Sequence, residues 1–409
     1  MTGGLQVMNF GFVCRSCGQR QSFRPGPSTC SCGGTLLVEY DLERAGRTLT
    51  KESLKHRVSS MWRYRELLPV QHEDHIISLG EGWSPLIRMH QAERLLPVGK
   101  LWVKREEQNP TGSFKSRGFS AALSIARAHG IKKVAVNSNG NAASALAAYA
   151  AYAGMEAYVF VPRDCPGLIV EECVQYGAHT CLVDGFIHDA GKIISDGQQV
   201  QGWYNVGTLK EPGRAEGKKT MGLELAEQLN WKLPDVIIYP TGGGSGVIGM
   251  WNAFQQLKQL GFINGDLPRM VSVQEAGCQP LVDSMAGSGE FKPQVKHVIS
   301  SPTGMRVPNP PDGHLILSIL QESGGTAVAV TREEIQQAGA AYGRLGISAS
   351  PEGAATLAGL TRLLDQSWIR PDDEVVLFNT SHAVKYLPWK PASSLPVVKT
   401  YQDWLQAVK

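Results

Sequence analysis

From residue 101 onward, short apolar runs alternate with longer stretches in which apolar residues recur every three or four positions. The short runs are apolar on both faces, as expected of strands covered on both sides, and the longer ones have helical period. The pattern predicts strands over 101–104, 133–137, 157–161, 180–183, 236–239, 271–274, 327–330 and 374–378. It predicts helices over 119–129, 142–153, 169–176, 190–199, 215–229, 246–260, 332–342 and 352–364. Regular alternation of strand and helix implies an α/β architecture with parallel sheets covered on both faces. Ligands in such sheets sit beyond the carboxyl ends of the strands.

The first hundred residues follow other rules. Residues 41–79 form a mixed linker in which Met61-Trp62-Arg63-Tyr64-Arg65 is amphipathic and expected to pack on the main body. Gly80 to Leu86 is rich in turn residues and leads into the alternating region. Before residue 40, Cys14-x-x-Cys17 and Cys30-x-Cys32 have twelve residues between them. Four thiolates suit tetrahedral zinc, and the pairs resemble the knuckles of a zinc ribbon, although the second gap is one residue short. A metal-free loop is the alternative. The other cysteines, Cys165, Cys173, Cys181 and Cys278, are scattered singly, which suits thiols of a reducing compartment.

Length and composition narrow the class. The 409 residues suffice for two or three domains, and 42% apolar with 19% charged residues describes an ordinary globular protein. A net charge of +3 gives no argument for a nucleic acid or membrane partner. The longest apolar run, 145–153, is far below the roughly 18 residues of a membrane span. Residues 1–12 lack the basic region and apolar core of a signal peptide, so a cytoplasmic location is expected.

The stretch from Asn109 to Gly118 carries the most specific chemistry. Asn109-Pro110-Thr111-Gly112 reads as a turn, and Ser113 as an N-cap for the helix that follows. Lys115 then falls in the first helical turn, where a cation is disfavoured and neutralisation by an aldehyde relieves the conflict. By itself this is also the pattern of a surface lysine. The whole stretch, however, closely resembles the lysine motif of fold-type II pyridoxal-phosphate enzymes. That family includes threonine synthases, threonine and serine dehydratases, cysteine synthases and the tryptophan synthase β-chain.

Three further segments occur in that family's order. Ser138-Asn139-Gly140-Asn141 links a strand to an alanine-rich helix whose free N–H groups suit an anion. It resembles the threonine synthase loop Ser-Thr-Gly-Asn. The resemblance assigns Ser138, Asn139 and Gly140 to the substrate carboxylate and Asn141 to the phenolic oxygen of the cofactor. Gly242-Gly243-Gly244-Ser245-Gly246 follows another strand and lets backbone approach a phosphate closely. The spacing also fits a dinucleotide loop through Gly249, but no convincing acid follows around 259–274. The family reading makes it the cofactor-phosphate loop. Asn379-Thr380-Ser381-His382-Ala383-Val384-Lys385 resembles Thr-Gly-His-Gly-Leu-Lys and assigns the hydroxyl of Thr380 to the pyridine nitrogen. Ser350-Pro351-Glu352 resembles a family segment only in part, and no catalytic role for Glu352 is read from it.

The resemblance implies two α/β domains enclosing pyridoxal 5'-phosphate, residues 41–118 with 214–409 and residues 119–213, plus the zinc-ribbon-like module at 1–40. It implies a lyase of threonine biosynthesis that converts O-phospho-L-homoserine and water to L-threonine and phosphate. A threonine or serine ammonia-lyase is the alternative, and an inactive zinc-ribbon binding protein a remote one. A homodimer acting on a small amino acid is implied as well. The segment Glu211-Pro212-Gly213-Arg214-Ala215-Glu216-Gly217-Lys218-Lys219-Thr220 resembles the family's Asn-Pro-x-Arg-x-Glu-Gly-Gln-Lys-Thr. It makes Arg214 the candidate for the substrate phosphate. Thr208 and Leu209 stand where the family usually has Asn-Ser, and Glu211 replaces an Asn. Arg214 pairing with Glu211 or Glu216 is the plainer account.

Overall fold

The computed structural model describes residues 10–24, 30–208, 210–294, 298–301, 304–387 and 396–407. Strands β1 (Phe10–Cys14), β2 (Arg20–Gln21) and β3 (Leu36–Tyr40) form an antiparallel sheet of order β2-β1-β3. The chain then lays down β4 (Leu86–Arg88) and β5 (Lys100–Arg105). It leaves to build β6 (Lys133–Asn137), β7 (Glu156–Pro162), β8 (His179–Val183) and β9 (Tyr204–Asn205). It returns for β10 (Val236–Pro240), β11 (Arg269–Glu275), β12 (Thr326–Val330) and β13 (Glu374–Asn379). The outgoing strands make a parallel sheet of order β8-β7-β6-β9. The others make a six-stranded sheet of order β12-β11-β10-β13-β5-β4, parallel except for β4.

The six-stranded sheet is apolar on both faces, as the uninterrupted apolar runs require. Ile238, Val271 and Leu377 point into one core with the helix Pro351–Asp365. Their neighbours Ile237, Met270 and Val376 point into another with the helices Ser245–Gln259 and Gly313–Glu322. A third core, rich in alanine, joins the helices Lys115–Ala128 and Asn141–Ala153 to β6 and β7. No helix among the described residues is long and apolar enough to cross a membrane.

All eight expected strands and all eight expected helices are present, with ends shifted by a few residues. Two helices between β11 and β12 were not expected. Gly313–Glu322 is amphipathic, exposing His314, Ser318, Gln321 and Glu322 along one face and burying the rest, but it is only ten residues long, and Pro280–Ala286 is only two turns long. The linker also holds short helices, Leu42–Gly46 and Lys51–Lys55. Its amphipathic segment packs as expected, with Met61, Trp62, Arg63 and Tyr64 buried.

One expectation fails. Ser113 does not cap the helix: the helix begins at Lys115, its cap position is Phe114, and no side chain caps it. Ser113 instead pairs with Ser381 in an isolated antiparallel bridge, which holds it one residue ahead of the cap position.

Candidate active site

The turn that delivers Lys115 closes through Gly112, at φ +63°, whose N–H bonds the carbonyl of Asn109 at 2.8 Å. Phe114 N–H then bonds the carbonyl of Thr380 at 3.0 Å, fastening the lysine to the end of β13. Lys115 thus opens its helix at the carboxyl edge of the six-stranded sheet. Its side chain lines a cavity between the two parallel sheets.

The cavity gathers nearly every residue singled out in the sequence. Lys115, Ser138, Asn139, Gly140, Asn141, Gly242, Gly243, Gly244, Ser245, Gly246 and Thr380 all line it. Ser138 Oγ accepts from Gly140 N–H at 3.0 Å and donates to the Gly140 carbonyl at 2.9 Å, which tightens the loop before the helix Asn141–Ala153. Asn139 Nδ2 reaches the carbonyl of Arg306 at 3.2 Å, and Arg306 pairs with Asp164 at 2.7 Å. A loop from the large-sheet side is thereby tied to the small sheet. Asn141 Nδ2 donates to Tyr386 at 2.8 Å, and its Oδ1 is buried without a partner.

The glycine loop is a cradle that side chains would fill. A Cβ on Gly242 would sit 2.1 Å from the Gly304 carbonyl oxygen, and one on Gly246 2.3 Å from the Tyr239 hydroxyl oxygen. Gly244, at φ +74°, would place a Cβ 1.9 Å from Ile316. The loop opens the helix Ser245–Gln259, whose first N–H groups have no intrahelical acceptor. Such a cradle fits a phosphate, and a lysine across the same cavity fits an aldehyde, so the residues present suit pyridoxal phosphate.

Lys115 is partly exposed because it opens into the cavity, yet protein encloses it on the other sides. That desolvation, with the nearby Arg214 guanidinium, lowers its pKa to about 7. Glu352 pulls the other way. Glu352 also lines the cavity: Oε1 accepts from Gly304 N–H at 2.8 Å and from Tyr386 at 2.6 Å, while Oε2 is buried without a partner.

Arg214 is brought close but not into the wall. It is fully buried, stacks 4.0 Å from the centre of the Phe119 ring and donates to the Val206 carbonyl. Its Nε and a second guanidinium nitrogen are buried without partners. Glu211 does not ion-pair with it. The Glu211 carboxylate accepts the N–H groups of Gly213 at 2.9 Å and Arg214 at 3.0 Å, and burial lifts its pKa to about 7. Thr208 and Lys210 line the cavity, and Leu209 lies outside the described residues.

Several lining residues carried no signal in the sequence. Asn137, His188, Tyr239, Met305, Val307 and Ser381 reach the cavity through tertiary folding alone. Asn137 and Ser381 were within sight, next to Ser138 and Thr380. The Ser381 Oγ is buried without a partner.

The four cysteines lie elsewhere, at the end of β1 and in the turns around it. The sulfur atoms of Cys14, Cys17, Cys30 and Cys32 all fall within 4.8 Å of one another. The Cys14 and Cys32 sulfurs are 3.5 Å apart, and those of Cys17 and Cys30 are 3.8 Å apart. Tight turns bring them together, with Gly18 at φ +71° and Gly33 at φ +87°. Four converging thiols suit a tetrahedral soft-ligand metal such as zinc.

Residues 77–381 match the family described as pyridoxal-phosphate dependent enzymes. The chain is 34% identical over 374 residues to threonine synthase of Methanocaldococcus jannaschii, covering 91% of this chain and 92% of that protein. It is 36% identical over 376 residues to threonine synthase of Methanosarcina acetivorans, covering 91% of each. Among solved structures, maize serine racemase superposes with a TM-score of 0.62 at 23% identity, over 73% of this chain and 88% of that one. The processed form of threonine deaminase isoform 2 from Solanum lycopersicum does so with a TM-score of 0.61 at 19% identity, over 80% of this chain and 82% of that one. These two show the shared fold.

Proposed function

The chain belongs to the family of pyridoxal-phosphate-dependent enzymes, and from that premise we propose that it is a threonine synthase. The reaction is O-phospho-L-homoserine plus water giving L-threonine plus phosphate. The observation that carries an enzymatic reading is Lys115, set at the mouth of its helix in a cavity that also holds the glycine cradle and the Ser138–Asn141 loop.

Bound pyridoxal phosphate would supply the sink for the electron pair left when a proton leaves the substrate Cα. The protein supplies the rest. Gly242 to Gly246 would hold the cofactor phosphate by backbone N–H groups, and Asn141 and Thr380 would set the ring. Ser138, Asn139 and Gly140 would hold the substrate carboxylate at a helix N-terminus. With its pKa near 7, the Lys115 amine is substantially neutral at physiological pH, so it can take a proton from Cα and return one. The Arg306 loop, tied to Asn139 and Asp164, forms one side of the cavity through Gly304, Met305 and Val307. Arg214 has two unpartnered donors and would answer the substrate phosphate once the enzyme closes on it.

The test is direct. Purified protein is incubated with O-phosphohomoserine and, separately, with threonine, and phosphate, threonine and ammonia are measured. Phosphate and threonine should form together from the first substrate. Replacing Arg214 by alanine should raise KM for O-phosphohomoserine by at least about tenfold. Brisk release of ammonia from threonine with no turnover of O-phosphohomoserine would put the ammonia-lyase in its place.

A further inference from the structure

Lys218 is fully enclosed, one turn along the helix from Arg214. Among the described residues its ammonium makes one hydrogen bond, to the hydroxyl of Ser245 at 2.8 Å, and no ion pair. Its surroundings do not balance its charge. Burial lowers its pKa well below the ordinary value, and Arg214 and Lys115 press in the same direction, with only Glu211 opposing. Glu211 is already engaged by two backbone N–H groups and is itself half-titrated near neutrality. Three basic side chains therefore face two carboxyls, Glu211 and, beside Lys115, Glu352. Uncompensated buried charge of this kind is costly unless an anion joins it.

Ser245 connects this excess to the cavity. It accepts the Lys218 hydrogen bond, opens the fifteen-residue helix behind Gly242, Gly243 and Gly244, and lines the cavity wall. We propose that Lys218, acting through Ser245, is the counter-charge for a phosphate monoester seated on the glycine loop, namely the cofactor's own phosphate. The inference rests on the family reading above. It concerns what is particular to this chain: where the resembling segment carries Asn and Gln, this one has Glu211 and Lys218, an acid and a base, both buried. Lys218 is a positioning residue, since Ser245 stands between it and the cavity.

The experiment separates phosphate recognition from folding. Apoprotein, wild type and the variants Lys218→Met, Lys218→Gln and Lys218→Arg, is titrated with pyridoxal 5'-phosphate and with pyridoxal, following visible absorbance and tryptophan fluorescence. Melting temperature is recorded for each. Affinity for pyridoxal phosphate should fall by about tenfold or more in Lys218→Met and Lys218→Gln and recover in Lys218→Arg. Affinity for pyridoxal, which lacks the phosphate, should stay within about twofold. Equal weakening of both ligands, or no weakening of either, overturns the proposal. If pyridoxal phosphate binds unchanged while KM for O-phosphohomoserine rises, the substrate phosphate is the occupant and the cofactor assignment is overturned. Wild-type protein that binds neither compound removes the family reading itself, and this inference with it.

Discussion

Arg117 and Glu224 meet with both side chains fully enclosed, the guanidinium donating to the carboxylate at 2.7 Å. Glu106 takes the other edge of the same guanidinium at 2.7 Å. Two residues after Lys115, this arginine fastens its helix to β5's exit and to the helix Gly213–Gln228. The two helices can lie this close because Gly217 has no side chain: a Cβ there would stand 2.0 Å from the Arg117 carbonyl oxygen.

Removing Arg117 takes the guanidinium from two buried carboxylates and leaves Glu224 with Lys104 as its remaining ion-pair partner. Arg117→Ala should destabilise the protein by roughly 3–5 kcal/mol in urea unfolding. The network also sets an acid limit. Burial raises the pKa of Glu224, but Arg117 and Lys104 outweigh it and hold it near 2, below the ordinary value of about 4.3. Its contribution is therefore complete above about 4.3 and is lost as pH falls through 2. The gap in urea midpoint between wild type and Glu224→Gln should narrow on acidification over that window. A constant gap would show that the charge of Glu224 contributes nothing.

Lys115 should capture pyridoxal phosphate with a rate that rises with pH through about 7 and then levels off, because the neutral amine is the nucleophile. An ordinary lysine would still be climbing toward about 10.4. Stopped-flow absorbance of apoprotein across pH 5.5–9.5 reads this directly. Borohydride should then fix the cofactor to the peptide containing Lys115, and Lys115→Ala should trap none.

Gly243 tests the cradle. A Cβ there would meet the Thr208 methyl at 2.9 Å, on the cavity side. Gly243→Val should weaken pyridoxal phosphate binding by at least about tenfold while leaving the far-ultraviolet circular dichroism unchanged. Undiminished affinity would move the phosphate off this loop.

The cysteine cluster should carry one zinc per chain when the protein is purified under reducing conditions. Replacing Cys14 and Cys17 by serine should abolish the metal and lower the melting temperature. Reduced, correctly folded protein with no metal by plasma emission would return the cluster to a plain loop.

Most of this architecture was legible because the chain's local and global preferences agree. Val236 to Tyr239 and Glu374 to Phe378 read as doubly covered strands, and that is what they are. The glycine loop and the Ser138–Asn141 loop were legible because backbone approach demands small residues at fixed places after a strand. What stayed hidden depends on partners distant in sequence. Glu352 enters the cavity wall because Gly304 and Tyr386 hold it there, and no spacing encodes either contact. Ser113 misled for the same reason, since its bridge to Ser381 spans most of the chain. Arg214 was recognised as a cation but not as one facing Phe119, because a sequence gives charge without direction.

Tyr40, the last residue of β3, donates to Glu216, and Lys219 binds the same carboxylate while lying 3.9 Å from the centre of the Tyr40 ring. Glu216 and Lys219 alternate along one helix with Arg214 and Lys218. Cutting the chain back to residues 77–381 would uncover that helix on the side opposite the cavity. Two charges now sheltered by an aromatic ring would face water. The cysteine-bearing sheet is thus a wall of the catalytic body, and an isolated catalytic body would be an unfinished one.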